Sequence, residues 1–266
     1  AKVPDAKLIY PRVIAKDGLD TSQFCVHAHQ AENCDPQIRI LLHCAREALC
    51  DAGINLTPTL NTAQGKKPVI GCVVSCEVSD FGESVGYDIP ALSGYGVLGG
   101  CRAMIANRIS FECNLTGPSY TVASGNSLVA VHNAVNLIRD GRCDVVIVGA
   151  IELNIKASYT RVVKMLDPEI ERSEGGGIIV ITRRGEANKV YGTIDNTWLR
   201  FVGSSNDGEV RRGMESIWKT VADNNQNGEG LHRVQVLGDN SWKRKIGHME
   251  AKLLEGMTHE TPFEYQ

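Results

Sequence analysis

One stretch constrains this chain more than any other. It runs Gly117-Pro118-Ser119-Tyr120-Thr121-Val122-Ala123-Ser124-Gly125-Asn126-Ser127-Leu128 and on into apolar residues. Gly-Pro closes whatever precedes it. Tyr120 to Val122 is aromatic and β-branched, which predicts a short buried strand. Ser124 to Ser127 is small and polar, as a tight turn and a helix N-cap require. Leu128, Val131, Ala134, Val135 and Ile138 then fall at helical spacing, and Gly141 after Arg139 supplies the stop. A strand therefore delivers Ser124 to the start of an apolar helix, beside free backbone N–H groups and the positive end of the helix dipole. Two readings of Ser124 stay open on spacing alone: a nucleophile, or a simple N-cap.

The rest of the chain repeats the alternation. Asp35-Pro36 opens a helix, with Asp as cap and Pro at the first position. Ile38, Leu41, Leu42, Ala45, Ala48 and Leu49 form its apolar face, and Gly53 ends it. Pro68 to Cys76 is a continuous apolar run, hence a buried parallel strand. Gly94 to Arg108 reads as a helix whose four glycines imply close packing. Asp144 to Leu153 is another buried strand, and Gly175-Gly176-Gly177 leads into a further strand over Ile178–Thr182. Beyond it, strands are expected at Val190–Asn196 and Leu231–Leu237, and helices at Glu209–Asp223 and Ile246–Met257. Apolar strands alternating with helices indicate an α/β fold around a largely parallel sheet.

Several function classes are excluded by simple counts. A net charge of -3 gives no reason to expect nucleic acid. No run approaches the roughly 18 apolar residues of a membrane helix. There is no GxxxxGK[ST] motif, and the triple glycine precedes a strand rather than a helix, so no phosphate cradle or other cofactor site is expected. Glu169, Glu171 and Glu174 read as a solvated face. The nine cysteines include no CxxC pair. Cys72 and Cys76 share one face of a strand, and Cys25, Cys44, Cys50, Cys101, Cys113 and Cys143 read as small core residues with free thiols. His27, His29 and His259 have no metal spacing, so no metal is expected; His43 and His132 read as structural. These features favour the cytoplasm. The absence of an initial Met and the sequons at Asn55 and Asn114 leave secretion, or excision from a longer chain, open.

Taken together, the segments resemble the ketosynthase (beta-ketoacyl synthase) domain of animal-type fatty acid synthase and its polyketide synthase relatives. The likeness covers about residues 10–260. It rests on Asp35-Pro36-Gln37-Ile38-Arg39, Arg46-Glu47-Ala48-Leu49, Asp51-Ala52-Gly53, Gly94-Tyr95, Asn107-Arg108-Ile109-Ser110-Phe111, Leu115-Thr116-Gly117-Pro118-Ser119, Ser173-Glu174-Gly175, Tyr191-Gly192-Thr193-Ile194 and Lys245-Ile246-Gly247-His248-Met249-Glu250-Ala251. The resemblance implies a thiolase-like fold of two βαβαβ-type halves, here shortened: residues 1–184 as the first half and 185–266 as a reduced second half. It also implies an oligomer joined through the strand beside the nucleophile.

In that family a helix-end Cys carries the acyl group, and two His and a Lys support decarboxylation and attack. The departures fall on this machinery. Ser124 stands where the family has its Cys. Lys243 and His248 fit the family's Lys and second His. The best register puts Leu237-Gly238 where the first His-Gly belongs, while a shifted register would bring His232 there. A Cys thiol, pKa near 8.5, is ionised by helix-end electrostatics, whereas a Ser hydroxyl needs an adjacent base, for which His248 is the candidate. The catalytic positions Ser124, His248 and Lys243 are therefore expected to be vestigial. The expected role is a degenerate ketosynthase-like binding or assembly module without condensing activity. Its ligand would be an apolar small molecule or acyl chain, its partners an acyl carrier protein and a like subunit. The alternative is a Ser-dependent acyltransferase or hydrolase using Ser124 and His248.

Overall fold

A computed structural model of the chain describes residues 19–54, 67–82, 94–123, 126–155 and 174–199, apart from 25, 80, 188 and 195, together with 161, 165, 212, 213, 215, 216 and 219. The chain forms two compact units, Ala1–Thr193 and Ile194–Gln266. In the second, Arg212, Gly213, Glu215, Ser216 and Lys219 are helical, as expected for the span 209–223. The strand and helix expected over 231–257 lie outside the described residues.

The described residues of the first unit form a four-stranded sheet in the order β2-β1-β3-β4. The strands are β1 (Ile70–Ser75), β2 (Ser119–Val122), β3 (Val145–Glu152) and β4 (Gly175–Thr182). β1 runs parallel to both β2 and β3, and β4 is antiparallel to β3. Its helices are α1 (Ala28–Glu32), α2 (Pro36–Asp51), α3 (Gly94–Gly100), α4 (Ile105–Glu112) and α5 (Ser127–Arg139), with 3-10 turns at Thr21–Gln23 and Arg102–Met104.

Strand alternation sorts the core into two faces. Cys72, Val74 and Cys76 pack with α2 and α4 through Ile38, Leu41, Leu42, Ile105 and Ile109. Val73 turns the other way, packing with Val146, Val148 and the Ala130, Ala134 and Leu137 stripe of α5. Every residue of β1 is buried, which explains its unbroken apolar sequence. Cys72 and Cys76 do share a face, as their spacing requires.

Local chemistry fixes the ends. Asp35 caps α2 by accepting from the Gln37 N–H at 2.8 Å. Gly141, at φ 68°, closes α5 in the left-handed conformation that glycine adopts without strain.

The structure corrects several expectations. Among the described residues β2 is an edge strand, and it is only half buried. The helix expected over 94–108 breaks at Cys101, and α4 continues to Glu112. The glycines before the break do pack closely: a Cβ on Gly99 would lie 2.1 Å from the Asn33 carbonyl oxygen. The described residues of 190–196 form no strand. Val190 and Tyr191 face solvent, so they lack the apolar neighbours a strand would need. The triple glycine lies inside β4 rather than before it. Glu174 is buried, not solvated. Cys50 and Cys101 are exposed, whereas Cys34, Cys72, Cys76, Cys113 and Cys143 are buried free thiols.

Candidate functional site

Ser124 lies between β2 and α5, outside the described residues, but its two shoulders are fixed. On one side, the Cys76 N–H donates to the Val122 carbonyl at 3.1 Å, extending the β1–β2 ladder one step past the end of β1. On the other, the Ser75 hydroxyl reaches the Asn126 carbonyl at 3.4 Å. Ser75 is buried, with 3 % exposure. Consecutive residues at the carboxyl end of β1 thus hold the residues two before and two after Ser124. The carboxyl edge of a parallel sheet is where open α/β folds place ligands.

Asn126, not Ser124, caps α5. Its Oδ1 accepts from the Leu128 N–H at 2.9 Å, and its carbonyl accepts from the Val129 N–H at 3.2 Å. The N-cap reading of Ser124 is therefore replaced by a cap two residues later. Spacing had allowed either residue, since both Ser and Asn favour this position.

Behind the shoulders lies a buried polar cluster that connects α2 to the end of β1. The Gln37 Oε1 accepts from the Cys76 thiol at 3.6 Å, and the Gln37 Nε2 donates to the Val78 carbonyl at 3.1 Å and to Asp35 Oδ2 at 3.3 Å. The Ser79 hydroxyl donates to the same Asp35 oxygen at 2.5 Å and accepts from the Gly82 N–H at 3.3 Å. The Asp35 N–H donates to the Gly99 carbonyl at 3.0 Å, tying in α3. Asp35 and Gln37 are 1 % and 0 % exposed. Burial, reinforced by the Asp35 and Glu152 carboxylates, pushes the Cys76 thiol up to about 12, so it is a hydrogen-bond donor here and not a nucleophile. The sequence marked Asp35-Pro36 as a helix start but gave no sign of these long-range contacts. A Gln in the first turn of an apolar helix was the one available clue.

Beside this wall, Arg102 donates to the Glu77 carbonyl. The Thr121 hydroxyl accepts from the Ala106 N–H at 3.2 Å and donates to the Ala103 carbonyl at 3.4 Å, fixing β2 against the start of α4. At the far end of β3, Glu174 accepts from the Asn154 N–H at 2.8 Å.

Lys243 and His248 lie outside the described residues, as do Leu231–Leu237. His132 contacts the Asn136 amide at 3.1 Å on α5, and His43 packs edge-on against Phe24. Among the described residues no group of His, Cys, Asp or Glu could hold a metal ion. No described helix is long and apolar enough to cross a membrane.

Comparison with known proteins places this geometry among relatives. Residues 9–172 match the family described as beta-ketoacyl synthase, N-terminal domain. A fatty acid synthase of Anser anser anser is 34 % identical over 212 residues, covering 73 % of this chain and 57 % of that protein. The highly reducing polyketide synthase Preu5 of Preussia isomera is 37 % identical over 140 residues, covering 52 % of this chain and 5 % of that one. The chain thus spans little more than half of the first relative and a small part of the second. Among solved structures, the ketosynthase from module 6 of the bacillaene synthase of Bacillus subtilis 168 superposes with a TM-score of 0.63 at 24 % identity, over 78 % of this chain and 38 % of that one. The α/β, thiolase-like fold expected from sequence is the fold of these neighbours.

Proposed function

The chain belongs to the beta-ketoacyl synthase family, and from that premise we propose that it is a ketosynthase-like member without condensing activity, acting as a binding or assembly module for an apolar or acyl ligand. The observation that carries this reading is the residue at position 124. Between β2 and α5 the sequence has Ser124 where the family resemblance places the acyl-bearing Cys. A thiol there is ionised by the helix end, and a hydroxyl is not. Leu237 in place of the first His removes an acid/base group worth about 10²–10⁴ in rate. An α/β scaffold stripped of this chemistry keeps its capacity to pack an apolar chain and a like subunit. β2, as an edge strand with one unpaired side among the described residues, supports self-association beside the site. An acyl carrier protein is the partner this reading implies for acyl delivery.

The test incubates purified protein with acyl-CoA or an acylated carrier protein and analyses Ser124 by mass spectrometry. The expected result is reversible ligand binding with no acyl-Ser adduct. Stoichiometric acylation of Ser124 would overturn the inert reading and support the alternative, a Ser-dependent acyltransferase or hydrolase with His248 as base. One observation favours that alternative: Asn126 satisfies the start of α5, so Ser124 is not needed as the cap. In that case Ser124→Ala must abolish turnover.

A further inference from the structure

α4 begins without a local cap. Met104 stands at the cap position in a helical conformation, φ -85° and ψ -5°, and its side chain makes no capping bond. The N–H groups of a first helical turn have no partner inside the helix, and a side-chain oxygen of the cap residue ordinarily takes one of them. Here the acceptor comes from another element. The Thr121 hydroxyl of β2 accepts from the Ala106 N–H at 3.2 Å and turns its own proton to the Ala103 carbonyl at 3.4 Å. We infer that Thr121 is the N-cap of α4, supplied across space by β2, and that the strand and the helix therefore open and close as one unit.

The attachment of β2 makes such a coupling effective. All four residues of β2 are half-buried, whereas all six of β1 are buried. Tyr120 and Val122 pack toward the α5 side, so strand alternation turns Ser119 and Thr121 toward α4. There the Ser110 hydroxyl donates to the Ser119 hydroxyl at 2.7 Å. The two contacts match in spacing. Ala106 and Ser110 lie about 6 Å apart along the helix axis, and Ser119 and Thr121 about 6.6 Å apart along the strand. A slip of β2 by one residue turns both hydroxyls away from α4. Elements with few buried apolar contacts open locally at less than the global free energy. Opening β2 takes the acceptor from the Ala106 N–H, and unwinding the first turn of α4 takes both partners from Thr121. Each opening thus removes a support of the other, whatever position 124 does.

Native-state hydrogen exchange of the full chain, read by mass spectrometry, follows peptides from α4, β2 and β3. Thr121→Val keeps the shape and strand preference of the residue and removes the hydroxyl, while Thr121→Ser keeps the hydroxyl. The expected result is exchange about fivefold faster in the α4 and β2 peptides together for Thr121→Val, with Thr121→Ser near the parent and β3 unchanged.

A rise in α4 alone reveals a cap without coupling and overturns the inference, as does a rise in β2 alone. Exchange matching the parent throughout overturns it, and so does a Thr121→Ser profile equal to that of Thr121→Val. An equal rise in β3 marks general loosening and counts against it too. If Thr121→Val fails to fold, Ser119→Ala decides. It leaves the cap in place and removes the Ser110 bond from β2, so faster exchange in α4 as well as β2 supports the coupling, and unchanged α4 exchange overturns it.

Discussion

A hydroxyl at position 124 begins with a far weaker acidity than a thiol. Cys76, at the carboxyl end of β1, is pushed up to about 12 by burial and is committed to Gln37 and the Val78 carbonyl. The same physics makes most of the cysteines inert. Burial raises Cys34 and Cys113 to about 11 and Cys72 to about 12. Cys50 and Cys101, by contrast, are exposed. In native protein near pH 8, a thiol reagent is therefore expected to label Cys50 and Cys101 at least about tenfold faster than Cys34, Cys72, Cys76 and Cys113. Peptide mapping of a labelling time course checks this, and early modification of Cys76 would contradict it. Asn126 carries the second residue-level prediction. Its side chain accepts the Leu128 N–H, so Asn126→Ala should cost about 1 kcal/mol in a urea titration, while Asn126→Ser should cost little. The sequence made Ser124 prominent, but the capping choice between Ser124 and Asn126 could not be read from it, because both residue types suit the position.

Elements were more legible than residues wherever one physical signal dominated. β1 and β3 are long apolar runs with no competing reading, and α2 has both its cap and its apolar face in the local sequence. The failures share a different cause. The helix breaks at Cys101 just after Gly99 meets Asn33, and those residues are far apart in sequence. Residues 190–196 looked like a strand because Val190, Tyr191 and Ile194 are apolar or β-prone. Tyr191 instead donates to Asp51 Oδ2 at 2.9 Å, and Lys189 meets Asp51 Oδ1 at 2.7 Å, clipping residues 189–191 to the end of α2. The clip sets a pH dependence. The Lys189 and Tyr191 hydrogen bonds hold Asp51 below its ordinary value. A depressed carboxylate contributes its stabilisation above the unfolded value, near 3.9, and loses it as pH falls through the folded value. Lys189 is raised by the same Asp51 bond, so its contribution lasts into alkaline solution. Hydrogen-exchange protection of residues 189–193, relative to the intrinsic rate at each pH, is expected to hold from about pH 5 upward and to fall in acid. Asp51→Asn should abolish that difference. An acid profile identical in both proteins would show that the clip holds nothing.

Across the whole molecule, fold and chemistry separate. The α/β class and the family were legible because they are spread over many segments, so no single substitution hides them. The site was legible only as positions, because Lys243, His248 and Leu237 lie far along the chain from Ser124. This distribution makes the sharpest prediction. Replacing one atom, in Ser124→Cys, puts a sulfur in the sequence between β2 and α5, where on the proposed reading the start of α5 favours the thiolate. That variant is expected to take an acyl group from an acyl thioester: its thiolate attacks the carbonyl carbon, the carrier thiolate leaves, and a new thioester remains on the protein. Mass spectrometry reads this as an acyl-sized mass increase on the peptide containing position 124, absent from the parent. Condensation demands more than a nucleophile, since a malonyl unit must lose CO₂ to give a carbanion equivalent that attacks the acyl carbonyl. On the proposed register, with Leu237 at the first His position, that step is slower by about 10²–10⁴. Labelled CO₂ release from the acylated Ser124→Cys variant should therefore stay that far below the roughly 1–10³ s⁻¹ of ordinary enzymes. Turnover inside that ordinary range would mean that His232, or another base, fills the role assigned to the missing group, and that the native protein lacks only its sulfur.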